Sequence, residues 1–256
     1  MPSRNLIRSI EELSINALPS LYTQLYDGWV LRLSDGLTRR ANSINPLYTG
    51  SLPLDEKITY CEDLFRRRDR APVFKMTPVT KPTLIDALTA HGYKLDAGTS
   101  IQTLRLGSSD GWIAFKSDLF KMTFTNRVTT AWIDDQIAFH EPGERARLTT
   151  RAAYELIIPH AAYFRLAFDG VPVAASLGVI ERGWMGLYGI VVDEKMRGRG
   201  IGTELVRRML GYGAAFNVTH TYLQVFTSNA PAIRLYNKLG FEEVYQYRYF
   251  QKQAGS

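Results

Sequence analysis

Apolar positions along the chain switch between a spacing of three to four residues and a spacing of two, and each switch marks a change of element. Residues 5–18 place Ile7, Ile10, Leu13 and Ala17 on one stripe, which predicts an amphipathic helix. GWVLRLS at 28–34 alternates like a strand, Asp35-Gly36 is a turn signal, and residues 37–47 return as the hairpin partner. A second helix over 55–68 turns Ile58, Cys61, Leu64 and Phe65 inward, and VFKMT at 73–77 is a short strand. After Pro82 the helix TLIDALTAHG ends on a glycine, and residues 93–106 read as extended chain.

The small, polar stretch LGSSDG is the candidate linker, giving units at 1–106 and 116–256 joined by 107–115. Residues 116–139 and 143–158 read as mainly helical. Three strands follow, AAYFRLAF, VPVAASLGVI and WMGLYGIVV, joined by turns at Asp169-Gly170 and Glu181-Arg182-Gly183 into an antiparallel meander. IGTELVRRMLGYGAAF carries Ile201, Leu205, Met209 and Leu210 on one helical face. YLQVF is a strand, APAIRLYNKLG a helix closed by Gly240, and FEEVYQYRYFQK a last strand. The order helix, hairpin, helix, short strand, helix, Gly-aromatic, extended chain occurs in both halves, so the chain reads as an internal repeat.

Composition fits this division: in 256 residues, 45% are hydrophobic and 22% charged, enough for two cores. The lone cysteine, Cys61, allows no intramolecular disulfide, and no apolar run has signal-peptide or membrane-spanning length. A cytoplasmic protein without membrane contact is expected. The formal net charge of +6 raises nucleic acid as a partner, but Arg66, Arg67, Arg68 and Arg70 are interleaved with Glu62, Asp63 and Asp69 and read as a solvated helix end. His91, His140, His160 and His220 are scattered without metal spacing, so no metal is expected.

A second basic run is threaded through glycines. Arg197-Gly198-Arg199-Gly200-Ile201-Gly202 joins an apolar strand to a helix start, where unpaired N–H groups make an anion site. Its glycines allow close approach, its arginines add charge, and a pyrophosphate is the natural occupant. Walker and dinucleotide loops fit poorly, because no Gly-Lys-Ser/Thr is present and the third glycine is one place early.

Arg197, Gly200 and Gly202 match the Arg/Gln-x-x-Gly-x-Gly/Ala of motif A in the GNAT superfamily of N-acetyltransferases. A second block, Asn229, Ala232, Leu235, Tyr236, Leu239, Gly240 and Phe241, resembles Asn-x-x-Ala-x-x-Leu-Tyr-x-x-x-Gly-Phe of the same family. The resemblance runs from about residue 115 onward. It implies an α/β (α+β mixed) fold of two GNAT-like units, each a mostly antiparallel sheet flanked by helices, with splayed strands in the C-terminal one. Acetyl-CoA would lie in the splay, paired to the backbone of Ile190, Val191 and Val192. Arg197, Gly198, Arg199, Gly200, Ile201, Gly202 and Thr203 would hold its diphosphate, and Asn229, Ala232 and Tyr236 would complete its site. Tyr236 would donate a proton to the departing thiolate, and Asn229 combines helix capping with cofactor contact.

The amine's general base stays open among Glu181, Tyr188 and Asp193. The implied acceptor is a primary amine of a small metabolite or peptide, on a monomer or homodimer. A non-catalytic acyl-CoA-binding regulator is the alternative. In the N-terminal half, NPLYTGSLPLDEK stands where the phosphate loop would be and Thr89 where Tyr236 would be, so that unit reads as degenerate and is not expected to bind CoA. Arg39, Arg40, Asn42 and Ser43 either face solvent on a hairpin or shape an acceptor cleft. Trp29 and Trp184 are packing residues or cleft lining.

Overall fold

The computed structural model describes residues 2–34, 38–107, 119–140 and 151–252, apart from the side chains of Ala97 and His140. The Asp35-Gly36 turn, nearly all of the linker and the first part of the 143–158 helix fall outside these. In chain order the elements are α1 (Arg4–Ala17), β1 (Tyr22–Tyr26), β2 (Trp29–Leu33), β3 (Ser43–Pro46), α2 (Leu54–Arg66), β4 (Val73–Met76), α3 (Pro82–Ala90) and β5 (Lys94–Arg105). There follow β6 (Phe120–Thr125), α4 (Thr130–His140), β7 (His160–Phe168), β8 (Val171–Glu181), β9 (Trp184–Val192), α5 (Ile201–Ala215), β10 (His220–Phe226), α6 (Ala230–Lys238) and β11 (Glu242–Gln251). Two compact units result: residues 1–100 with 226–228 and 244–256, and residues 101–225 with 229–243.

In the first unit β1, β2 and β3 form an antiparallel meander, and β3 runs parallel to β4 through the α2 crossover. A parallel pair needs such a crossover because its strands start at the same end. Trp29, Leu31, Ile44, Ile58, Cys61, Phe65 and Phe74 make the core. The second unit repeats the plan: β7, β8 and β9 are antiparallel, and β9 runs parallel to β10 through α5. Its core gathers Phe164, Leu166, Met185, Leu187, Leu205, Met209 and Leu223, together with Tyr236 and Phe241. The expected mixed, mostly antiparallel architecture is thus present in both units.

Three local expectations change. Phe120–Thr125, read as part of a helix, is strand β6, paired antiparallel with β7 from Phe120↔Phe168 to Thr125↔Tyr163. Its FKMTFT alternation and threonines suit a pleated edge better than a helix. Tyr22–Tyr26 is an additional strand, paired to β2 around the Asp27-Gly28 turn. The end of β11 was expected in the C-terminal unit and instead clusters with the first one, where Arg248–Gln251 pair with β4.

A buried polar cluster explains where the last strand goes. Glu11 on α1 is 1% exposed; its carboxylate accepts from Lys75 Nζ on β4 at 2.5 Å and from the Tyr245 hydroxyl on β11 at 2.8 Å. Lys75 Nζ also lies 3.9 Å from the centre of the Tyr247 ring. Buried charges need both a counter-ion and hydrogen bonds, and here β11 supplies part of each.

Candidate functional site

The meander leads into β9, and β9 carries a bulge just before the glycine-rich loop. Between Ala175/Leu177 of β8 and Val191/Tyr188 of β9 the register slips by one residue, and Gly189 takes φ +55° there. Gln136 of α4, 7% exposed, donates from Nε2 to the Gly189 carbonyl at 2.7 Å and fixes the bulge. Pairing of β9 with β10 ends at Leu187↔Leu223, although β9 continues to Val192. Among the described residues the ladder between β9 and β10 therefore stops before the end of β9, which is the expected splay. Val191 and Val192 remain paired to Ala175 and Ala174 on the other side, and Ile190 sits in the bulge.

The Tyr188 and Tyr222 hydroxyls meet at 2.6 Å beside the last rung of the paired strands. Gly186 leaves room for both rings, since a Cβ there would stand 2.6 Å from Tyr188 and 2.7 Å from Tyr222.

After Val192 the chain turns through Glu194–Met196, where the Asp193 side chain accepts from the Lys195 amide. Arg197 Nε donates to the Val192 carbonyl at 3.2 Å and its half-exposed guanidinium lies 3.8 Å from the Glu194 carboxylate, so this arginine pins the base of the loop. Gly198 and Gly200 have φ +77° and +79°, a left-handed conformation in which a β-carbon would be strained. A Cβ built at either meets nothing within 4 Å, so the space over both is open. Gly200 is the N-cap of α5, and no side chain caps the helix. The first-turn amides, including those of Ile201, Gly202 and Thr203, therefore keep their affinity for an external acceptor. Arg199 has no ion pair among the described residues.

Gly202 serves another purpose. A Cβ there would lie 2.9 Å from Leu235 Cδ1, so its absence lets α5 approach α6 and ties the two sequence motifs together. On α6 the Asn229 side chain accepts from the Ala232 amide at 3.2 Å, the capping role expected of it. Ala232 packs against the core, and Tyr236 is 8% exposed with its ring edge-on to Phe241. Burial pushes the Tyr236 phenol up to about 12, and its hydroxyl has no hydrogen-bond partner among the described residues.

Of the candidate bases, Glu181 lies in the β8–β9 hairpin beside Arg182 and Asp193 caps a turn. His160 bonds the Tyr212 hydroxyl and His220 stacks on Trp184; no metal-binding group occurs among the described residues. Gln136 and Tyr222 were not legible as site residues, because each acts through a partner far along the chain.

In the first unit the corresponding bend before α2 is filled from within. The Asp27 carboxylate accepts from the Ser51 amide at 2.9 Å, the Leu52 amide at 3.0 Å and Lys57 Nζ at 2.9 Å. These bonds, that from Lys57 foremost, hold the Asp27 carboxyl well below the usual carboxylate range. Arg39 pairs with Asp96, while Asn42 accepts from the Ser34 amide and Ser43 from Asn45, so these three polar residues brace the fold. Trp29 is 3% exposed, with Lys57 Nζ 4.1 Å from its ring centre.

Comparison with known proteins agrees with this geometry. Residues 126–241 match the Acetyltransferase (GNAT) family, and residues 5–155 match the family described as probable histone acetyltransferase Rv0428c C-terminal. The uncharacterized N-acetyltransferase YobR of Bacillus subtilis (strain 168) is 27% identical over 247 residues, 95% of this chain and 97% of that one. Among solved structures, a GCN5-related N-acetyltransferase from Kribbella flavida superposes with TM-score 0.71 at 16% identity, over 97% of this chain and 96% of its own. A tandem GNAT protein from the clavulanic acid biosynthesis pathway gives 0.68 at 15% identity, over 97% and 88%. With the looped helix start, the parted strands and the buried tyrosine in one unit, and these matches across both, the chain belongs to the GNAT family of N-acetyltransferases.

Proposed function

We propose that the second unit binds acetyl-CoA and transfers its acetyl group directly to the primary amine of a small metabolite or peptide. The observation that carries this reading is the uncapped start of α5, opened by two left-handed glycines whose Cβ positions are empty. A diphosphate fits there: it would accept from the first-turn amides, with Arg199 adjacent. The unpartnered edge of β9 at Ile190–Val192 offers backbone groups to an extended amide chain, as an added strand would. Acetyl-CoA supplies the activated acyl group as a thioester.

The remaining chemistry falls to this chain's residues. The Gln136-fixed bulge presents β9 backbone N–H groups near Val191 and Val192, which can polarise a carbonyl. Tyr236 stays protonated through the working pH range and can donate to the sulfur as the thiolate departs. Complete proton transfer from a phenol at about 12 to a thiol near 8.5 would be uphill by ~5 kcal/mol. Its contribution is therefore a strong hydrogen bond that matures into proton transfer as the sulfur is desolvated. A hydroxyl without an internal partner among the described residues, on a ring that is otherwise buried, favours this over a packing role, and favours catalysis over acyl-CoA binding alone.

The test is calorimetric titration of acetyl-CoA, followed by thiol release with a pooled set of amino acids, polyamines and short peptides. Wild type should bind and show amine-dependent release, whereas Gly200→Glu, which puts a carboxylate where the diphosphate belongs, should do neither. Failure of the wild type to bind would remove the reading; tight binding without turnover on any amine would shift it to a regulator.

A further inference from the structure

The first unit holds a cleft of about 170 Å³ between the start of α1, residues 46–52 and the start of α3. No aspartate or glutamate lines it, yet Arg4, Arg8, Lys57 and Lys81 all do. Clefts lined by one sign of charge focus potential and concentrate the opposite ion. Lys57 is already neutralised by Asp27 at 2.9 Å. The other three are not: Arg4 gives one guanidinium nitrogen to the Val79 carbonyl at 2.9 Å, and neither Arg8 nor Lys81 has an ion pair among the described residues. Arg8 Nε is buried without a hydrogen-bond partner among the described residues, a deficit that native proteins rarely leave unfilled. Thr80 and Thr83 add hydroxyls, while Trp29, Leu47, Val79 and Leu84, each 5% exposed or less, supply apolar lining.

We infer that this cleft is a binding site for a small phosphate monoester, separate from the acetyl-transfer site. A phosphate carries roughly −1.5 to −2 charge near neutral pH, which three free cations can balance; a single carboxylate would leave two of them repelling. Arginine's planar fork suits phosphate oxygens. The volume lies below the ~300 Å³ at which drug-sized pockets begin, so the phosphate bears only a compact apolar body. The ligand does not use the bend before α2, whose Ser51 and Leu52 amides are occupied by Asp27.

The experiment titrates the full chain with phenyl phosphate and with inorganic phosphate by calorimetry at fixed ionic strength. Phenyl phosphate should bind saturably and more tightly than inorganic phosphate. Arg8→Gln and Lys81→Gln should each weaken it about tenfold, the loss of one charge-assisted hydrogen bond. Lys81 is exposed, so that variant keeps the fold if Arg8→Gln does not; thermal unfolding checks both. Arg66→Gln, which removes a surface ion pair with Asp63, and Gly200→Glu should leave phenyl phosphate affinity unchanged. Absence of saturable heat at millimolar phenyl phosphate, equal affinity in wild type and Lys81→Gln, or loss of binding in Gly200→Glu would each overturn the assignment. The last would place the anion in the second unit.

Discussion

Replacing Tyr236 by phenylalanine removes one oxygen and tests the proposed chemistry with little disturbance of the fold. The ring is packed in the second core, 8% exposed and edge-on to Phe241 at 6.0 Å between centroids. Phenylalanine keeps that packing, and the lost hydroxyl had no internal partner, so stability should change by less than ~0.5 kcal/mol. For a domain of this size that is a Tm shift of at most ~2 °C. The affinity for acetyl-CoA should stay within about twofold, because a bond formed to a departing thiolate contributes little to the ground state. Turnover is different: a positioned proton donor contributes about 10²–10⁴-fold, equivalent to ~2.7–5.4 kcal/mol of barrier. The assay is steady-state thiol release at saturating acetyl-CoA and amine, with the dissociation constant measured separately by calorimetry. Because the phenol is pushed up to about 12, wild type and variant should share the shape of their pH–rate profiles up to about pH 10. A fall in turnover of less than about threefold, or an equal fall in turnover and affinity, would refute the donor role. Tyr236→Ala would not discriminate, since emptying the packed site costs ~3–5 kcal/mol by itself.

Lys75→Met should destabilise the protein by about 3–5 kcal/mol in urea unfolding, because the buried Glu11 carboxylate is left with Tyr245 alone. Adding Glu11→Gln should restore much of the loss; a single variant within ~1 kcal/mol of wild type would contradict the buried-pair account. Gly202→Ala should cost about 1–3 kcal/mol by thermal unfolding, since its methyl would stand 2.9 Å from Leu235 Cδ1 and press α5 away from α6. The effect should vanish in Gly202→Ala/Leu235→Ala relative to Leu235→Ala alone. Asp27 has a depressed pKa, so its stabilisation is complete above the unfolded value near 4 and is lost as pH falls toward the folded one. Asp27→Asn should therefore be less stable than wild type at neutral pH, with the gap closing in acid; parallel unfolding curves from about pH 7 to about pH 2 would exclude the linkage.

What could be read from the sequence follows from where the information lies. The β7–β9 meander was legible because Asp169-Gly170 and Arg182-Gly183 punctuate strands of period two, and the positive φ values of all four residues match hairpin turns. The glycine-rich turn into α5 was legible because the positive φ of Gly198 and Gly200 is a local property of the backbone. β1 was missed: its first four residues, Tyr22 to Leu25, are exposed, so no buried face imposes an alternation. β6 was missed for a related reason, as an edge strand with only Phe120 and Met122 turned partly inward. The destination of β11 was not legible at all, since the Tyr245–Glu11 bond joins residues 234 positions apart. Gln136 was hidden likewise, acting on the carbonyl of a glycine 53 positions away.

The two units treat the bend before their crossover helix differently, which bears on the proposed diphosphate site. In the second, Gly198 and Gly200 leave open space over the loop, and no side chain among the described residues caps α5. In the first, Asp27 sends a carboxylate from the β1–β2 turn into the bend before α2, where it takes the Ser51 and Leu52 amides that a phosphate would otherwise claim. Gly50 makes this possible, because a Cβ there would lie 2.1 Å from Asp27 oxygens. An internal carboxylate is always present at full occupancy, so a soluble diphosphate would have to displace it and leave Lys57, 2% exposed, without its counter-ion. The expectation that the first unit does not take CoA thus rests on more than a missing glycine-rich motif: the Ser51 and Leu52 amides of its bend are already satisfied by Asp27, so a ligand in that unit would have to be recognised by side chains instead.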